Sequence, residues 1–153
     1  MGPRSVNGFG GPVVLDMSAW ARVALGCLDQ PDTERYEHAV RGGEVMICEP
    51  FRLEALYSAR DLDQYEGLKR QLDALPSISS GPKSLDLALR GQLALARERS
   101  VSHRVKPLDL VISAIAHEHG VGVLHYDHDY DVIAKFAGLR VRSVWIAARG
   151  SVN

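Results

Sequence analysis

The sequence predicts an α/β protein of three layers, with a central, mostly parallel sheet flanked by helices. Three observations point there. Short apolar runs alternate with longer amphipathic ones along the chain, and acidic residues recur where the apolar runs end. The length, 153 residues at 46% hydrophobic content, suffices for one good core and not for two ordinary domains. Strands separated by helices need crossover connections, which are right-handed and leave neighbouring strands parallel.

Each element follows from local pattern. PVVLD (Pro12 to Asp16) reads as a buried strand, and Ser18 to Leu28 as a helix with Ser18 as its N-cap. A second helix, Pro31 to Gly43, closes on a glycine pair and precedes a second strand, EVMIC (Glu44 to Cys48). Glu49 to Arg60 and Leu62 to Leu75 read as a helical hairpin, Pro76 to Ser84 as a loop, and Ser84 to Arg99 as an amphipathic helix. Lys106 to Gly120 carries Pro107 in its first turn, is apolar nearly all round and stops at glycine, as a helix inside a domain does. Val121 to Tyr126 is then a third strand, Asp129 to Phe136 a short helix and Leu139 to Ile146 a last strand. Residues 1–11, rich in glycine and polar residues, read as a disordered leader, 12–148 as the domain and 149–153 as a tail.

Charge and composition exclude several classes. A net charge of −1 gives no global basic field of the kind an indiscriminate DNA binder shows, so any nucleic-acid contact must be local. No apolar run approaches the ~20 residues of a membrane span, and the start lacks the layout of a secretory signal, which predicts a cytoplasmic protein without a membrane partner. Val6 stands where a myristoylation start has Ser or Thr. Cys27 and Cys48 form no CxxC pair and lie among apolar residues, so both read as buried free thiols.

In an open parallel sheet, chemistry sits beyond the carboxyl ends of the strands, where the strand order reverses. Asp16 ends the first strand and Asp127 the third; if those strands are neighbours, the two carboxylates meet at one rim, with Asp129 within reach. Glu54 lies in the helix after the second strand, and Asp109 in the first turn of the most hydrophobic helix. Singly, each acid has an ordinary explanation: a helix cap for Asp16, the positive helix end for Asp109, a solvated face for Glu54, a polar turn for Asp127 to Asp131. Jointly, several acids at one rim repel one another unless a cation neutralises them, and hard carboxylate oxygens favour Mg²⁺ or Mn²⁺. Other metal readings fit less well. DHDYD starts like a calcium loop, but Val132 and Gly138 stand where that loop needs Gly and Glu. His117, His119, His125 and His128 suggest zinc only by proximity, without HExxH or cysteines. A phosphoacceptor receiver domain would need paired acids after the first strand, which LDMSAW lacks.

In this arrangement the chain resembles the PIN-domain ribonucleases, and within them the VapC toxins of bacterial toxin–antitoxin pairs, over residues 12 to 148. VVLDMSAW is similar to that family's opening strand and helix with its first metal-binding Asp, here Asp16; EPFRLEALYSAR to the helix with its Glu, here Glu54. KPLDLVISAIAHEHG matches the helix of the third acid, Asp109, and VLHYDHDYDVIA the block of the fourth and fifth, Asp127 and Asp129. Met17 stands where the family commonly has Thr or Ser, with Ser18 retained next to it, and His125 where it commonly has Thr. These two positions are the expected supports of the acids, and Asp131 is expected to cap the short helix.

The resemblance implies a three-layer PIN-like fold and an endoribonuclease, a hydrolase of EC class 3.1. Its catalytic acids would be Asp16, Glu54, Asp109 and Asp127, with Asp129 as a further metal ligand and Mg²⁺, replaceable by Mn²⁺, as cofactor. A second ion would join with substrate. Arg104 and Lys106 are candidate RNA phosphate contacts. Implied partners are an RNA, transfer or ribosomal, a cognate antitoxin, a second copy in a homodimer, and DNA only through the antitoxin. A dock for the antitoxin is expected beside the Glu49 to Leu75 hairpin, at Phe51, Leu53, Leu56 and Tyr57. The competing class is a noncatalytic PIN-like module acting through antitoxin and operator DNA.

Overall fold

A computed structural model describes residues 8–152. Its elements, in chain order, are β1 (Val13–Leu15), α1 (Met17–Ala24), α2 (Gln30–Arg41), β2 (Val45–Met46), α3 (Glu49–Tyr57), α4 (Leu62–Asp73), α5 (Ser84–Arg97), α6 (Pro107–His119), β3 (Gly122–His125), α7 (Asp129–Phe136) and β4 (Ser143–Trp145). The four strands are all parallel, in the order β2-β1-β3-β4. The strand order therefore reverses between β1 and β3, whose register pairs Leu15 with Leu124. Every residue of β1 and β3 is buried. Because successive strand side chains point to opposite faces, both faces of the sheet are covered, as the α/β class predicts.

The core explains why these segments settle as they do. Phe51 of α3, Leu72 of α4, Leu95 of α5, Ile112 and Ile115 of α6 and Ile133 of α7 are each fully buried. Burial of one such side chain contributes roughly 1.5–3 kcal/mol. Helix α6 is buried over most of its length, and Gly120, at φ +67, ends it in a left-handed conformation that costs a glycine little. The chain turns there directly into β3. Since β3 runs parallel to its neighbours, α6 must begin at the opposite edge, which puts Asp109 at the carboxyl-end rim.

Several boundaries differ from the sequence expectation. Helix α1 starts at Met17 with Asp16, rather than Ser18, as its N-cap, because the Asp16 carboxylate accepts the Ser18 amide. It ends at Ala24, short of Leu28, and Cys27 just beyond it is exposed; Cys48 is buried, and both thiols are free. Strands β2 and β4 are shorter than the apolar runs that contain them. The first seven residues of the expected leader, and Asn153, lie outside the described residues. From Gly8 onward the leader is part of the fold: Phe9 is buried, with Arg35 over its ring and Arg142 bonded to its carbonyl oxygen. The tail also packs, since Val152 exchanges hydrogen bonds with the Tyr126 hydroxyl. No helix among the described residues is long and apolar enough to cross a membrane.

Candidate functional site

Parallel strands deliver the ends that follow them to one rim, and α1, α3, α6 and the β3–α7 turn all contribute there. Asp16, Ser18, Arg22, Glu54, Lys106, Asp109, Tyr126 and Asp127 line a single cleft of about 390 Å³. The four acids expected to meet therefore do so, although they come from distant parts of the chain.

Asp16 and Asp109 are nearly inaccessible, at 4% exposure each. Asp16 Oδ2 accepts from the Ser18 amide at 2.9 Å and the Ser18 hydroxyl at 2.5 Å, and its Oδ1 accepts from the Tyr130 hydroxyl at 2.7 Å. It is thus a helix cap and a cleft acid at once. Ser18 Oγ also accepts the Tyr126 amide at 2.9 Å, which ties α1 to the end of β3. Asp109 Oδ1 lies 3.3 Å from the same Tyr130 hydroxyl, whereas its Oδ2, buried, has no hydrogen-bond partner among the described residues. Burial, and then the charge of Asp16, push the Asp109 carboxyl up to about 7, with Lys106 partly opposing.

Asp127 and Asp129 are half-buried at the start of α7. Asp127 Oδ1 accepts the Asp129 amide at 2.9 Å, and Lys106 Nζ lies 3.6 Å from its Oδ2. Burial and the neighbouring Asp127 charge raise the Asp129 carboxyl above its ordinary range. Glu54 is raised too, by burial and then by Asp16. Lys106 itself is held above its ordinary value: burial works against this, but the charges of Asp109 and Asp127 outweigh it. It acts as counter-charge to the acids, a role that the sequence reading did not assign. Arg104 is exposed and lines a separate hollow with His128 and Asp129.

His125 supports Asp127 from below. Its Nδ1 accepts the Asp127 amide at 3.0 Å, so the ring hydrogen sits on Nε2, which donates to Ser143 Oγ at 2.6 Å. The Ser143 hydroxyl in turn donates to Asp131 Oδ1 at 2.6 Å, and Trp145 Nε1 donates to the same carboxylate. Burial lowers the His125 pKa to about 4, so the ring is neutral near neutral pH. Asp131, expected to cap α7, does not do so; it anchors that helix to β4. Although burial works against it, the hydrogen bonds from Ser143 and Trp145 hold the Asp131 carboxyl below its ordinary range. The four histidines do not gather: His117 accepts the Arg140 amide, His119 bonds Ser79, and His128 is exposed.

The donor set fits a hard divalent cation. Among the described residues, carboxylate oxygens of Asp109, Asp127 and Asp129 lie within 4.8 Å of one another. Ligands of one octahedral Mg²⁺ stand about 3–4.2 Å apart, so the three oxygens would draw together around a bound ion. The unpartnered Asp109 Oδ2 is the strongest sign of a missing partner, because a buried polar atom left unsatisfied costs about 1–3 kcal/mol. Asp16 and Glu54 stand outside that trio, on the adjoining wall. Sequence reasoning missed Tyr130, Arg22 and the Ser143–Trp145 pair. A tyrosine directly after an acid run, where an aromatic belongs in the core, is the one signal that could have found the first. Of the expected dock, Phe51 and Leu56 belong to the core, while Leu53 and Tyr57 are 74% and 90% exposed.

Comparison with known proteins gives a consistent picture. The family model described as PIN domain matches residues 13–136. Ribonuclease VapC18 of Mycobacterium tuberculosis is 36% identical over 140 residues, 90% of this chain and 97% of its own. VapC ribonuclease Mb1587 of Mycobacterium bovis is 30% identical over 86% of this chain and 98% of its own. The fold is similar to that in DNA-bound VapBC from Salmonella typhimurium, with TM-score 0.68 and 14% identity over 89% of this chain and 99% of that one. It is also similar to that in promoter-bound VapBC2 from Rickettsia felis, with TM-score 0.66 and 13% identity over 86% and 97%.

Proposed function

The chain belongs to the PIN domain family, and from that premise we propose that it is the toxin of a type II toxin–antitoxin pair, a metal-dependent endoribonuclease that hydrolyses RNA phosphodiester bonds. The observation that carries this reading is the convergence of Asp109, Asp127 and Asp129 beside Asp16 and Glu54, with one buried carboxylate oxygen unpartnered. Relatives named as VapC ribonucleases, matched along nearly their whole length, support the activity.

In this reading Asp109, Asp127 and Asp129 hold the cation, and Asp16 and Glu54 orient its water shell and complete the acidic wall. Bound there, Mg²⁺ or Mn²⁺ supplies a water of lowered pKa and offsets charge on the phosphate oxygens. Ser18 and His125 keep Asp16 and Asp127 in place through the hydrogen bonds described above. Because water is the nucleophile, the substrate 2′-hydroxyl is not needed chemically, and RNA preference comes from shape and contacts. Lys106, its side chain 68% exposed, is placed to leave Asp127 for a phosphate at the cleft mouth. Lys106→Ala is expected to raise KM several-fold, leave kcat nearly unchanged and flatten the salt dependence of RNA binding by about 0.7 in slope, as loss of one single-strand phosphate contact does. Equal salt slopes would exclude that contact; Arg104 is the second candidate.

The partner of this toxin is an antitoxin, in keeping with the VapBC complexes that share the fold. Exposed Leu53 and Tyr57, with Leu62 and Tyr65 across the hairpin turn, offer the apolar surface for it. DNA contact would come through that antitoxin, with the toxin as a homodimer in the cytoplasm. The direct test is cleavage of transfer and ribosomal RNA by the purified, antitoxin-free protein with Mg²⁺ or Mn²⁺, against Asp16→Asn. Metal-dependent cleavage that the variant loses is expected. Absence of cleavage, or equal cleavage by both proteins, would overturn the proposal in favour of a noncatalytic module.

A further inference from the structure

We propose that Tyr130 is a positioning residue of the acidic site: its phenol fixes the spacing and orientation of Asp16 and Asp109 and leaves Asp109 Oδ2 without a hydrogen-bond partner, ready to ligate a cation. The inference rests on the metal-site reading above. Tyr130 is fully buried, and its hydroxyl touches Asp16 Oδ1 at 2.7 Å and Asp109 Oδ1 at 3.3 Å. A phenylalanine would fill the same volume without a hydroxyl to desolvate, so the two carboxylates are what that hydroxyl serves.

One phenol hydrogen cannot satisfy two carboxylates. The shorter contact goes to Asp16, whose other oxygen is already held by Ser18. Asp16 is thereby bonded at both oxygens, whereas Asp109 keeps one oxygen free. The phenol thus makes two neighbouring acids inequivalent: one is locked, the other left to bind. Its ring is in turn held rigidly. It stacks on His125 at 4.8 Å between centroids, His125 meets Trp145 edge-on at 5.0 Å, and both His125 nitrogens and the Trp145 Nε1 are hydrogen-bonded. The same aromatic stack therefore serves two of the acids, with His125 holding the Asp127 amide while Tyr130 holds Asp16.

Outer partners of metal ligands typically govern affinity or activity by 10–100-fold. Tyr130→Phe keeps the ring and its stacking, so it should fold. Its Mn²⁺ affinity, measured by calorimetry on the free protein, is expected to weaken about 10–100-fold, with kcat for RNA cleavage reduced and KM for RNA unchanged. A purely structural role would lower the unfolding midpoint without altering Mn²⁺ affinity or kcat, and that outcome would overturn the proposal. Failure of the wild-type protein itself to bind Mn²⁺ would overturn the metal reading and this proposal together, whereas normal wild-type binding matched by Tyr130→Phe would sink only the role of Tyr130.

Discussion

Asp109→Asn is expected to lose RNA cleavage by about a thousand-fold or more, lose Mn²⁺ binding, and yet be more stable than the wild type at pH 8 without metal. The first two effects follow from its place in the acidic trio, since charge stabilisation by a bound metal is worth several kcal/mol and each 1.36 kcal/mol is tenfold in rate. The third follows from linkage. The Asp109 carboxyl is raised from 3.8 to about 7 in the fold, by burial first and by Asp16 second. Between those values the folded chain holds a proton that the unfolded chain has released. The stability associated with that proton is complete below about pH 4 and is lost as the pH rises through about 7, a difference of about 4 kcal/mol. An asparagine has no charge to bury and escapes that loss. Thermal unfolding in chelator at about pH 5 and pH 8 checks the sign: the variant's advantage should grow with pH. An advantage of the same size at both pH values would mean that Asp109 is not raised.

The second large effect is on metal affinity in the wild type. Asp109 must be ionised to bind a cation, so Mn²⁺ affinity should fall by up to about tenfold for each pH unit below about 7 and level off above it. Binding below that pH should release close to one proton, measured by calorimetry in buffers of different ionisation enthalpy. His125 contributes nothing to this profile, because its pKa of about 4 keeps it neutral throughout. A pH-independent affinity would show that the ion is held without Asp109.

Much of this site was legible as pattern. Asp16 and Asp127 could be placed at one rim because each follows an apolar run, and parallel neighbours bring such ends together. Asp109 stood out as an acid in the first turn of the most hydrophobic helix, and its place at that rim followed once α6 was seen to run back into the parallel strand β3. Asp131 was misread because spacing marks it as near a helix start, whereas its partners, Ser143 and Trp145, lie on a strand that sequence distance hides. Cys27 was misread for a similar reason: its neighbours are apolar, but α1 stops at Ala24 and leaves it outside the core. Phe9 reads as part of a glycine-rich leader until the fold supplies Arg35 and Arg142 to hold it.

Periodicity and turn residues, both local properties, determined by themselves the α/β class, the alternation of strands and helices, and which acids stand at element ends. Tertiary structure alone decided how those acids differ. Burial, the single shared hydrogen of Tyr130 and the counter-charge of Lys106 act through space between residues more than 20 positions apart. They leave Asp16 bonded at both oxygens, Asp109 raised with one oxygen unpartnered, and Asp127 braced from beneath, because desolvation and hydrogen-bond supply are set by what packs around a carboxylate and not by what precedes it in the chain.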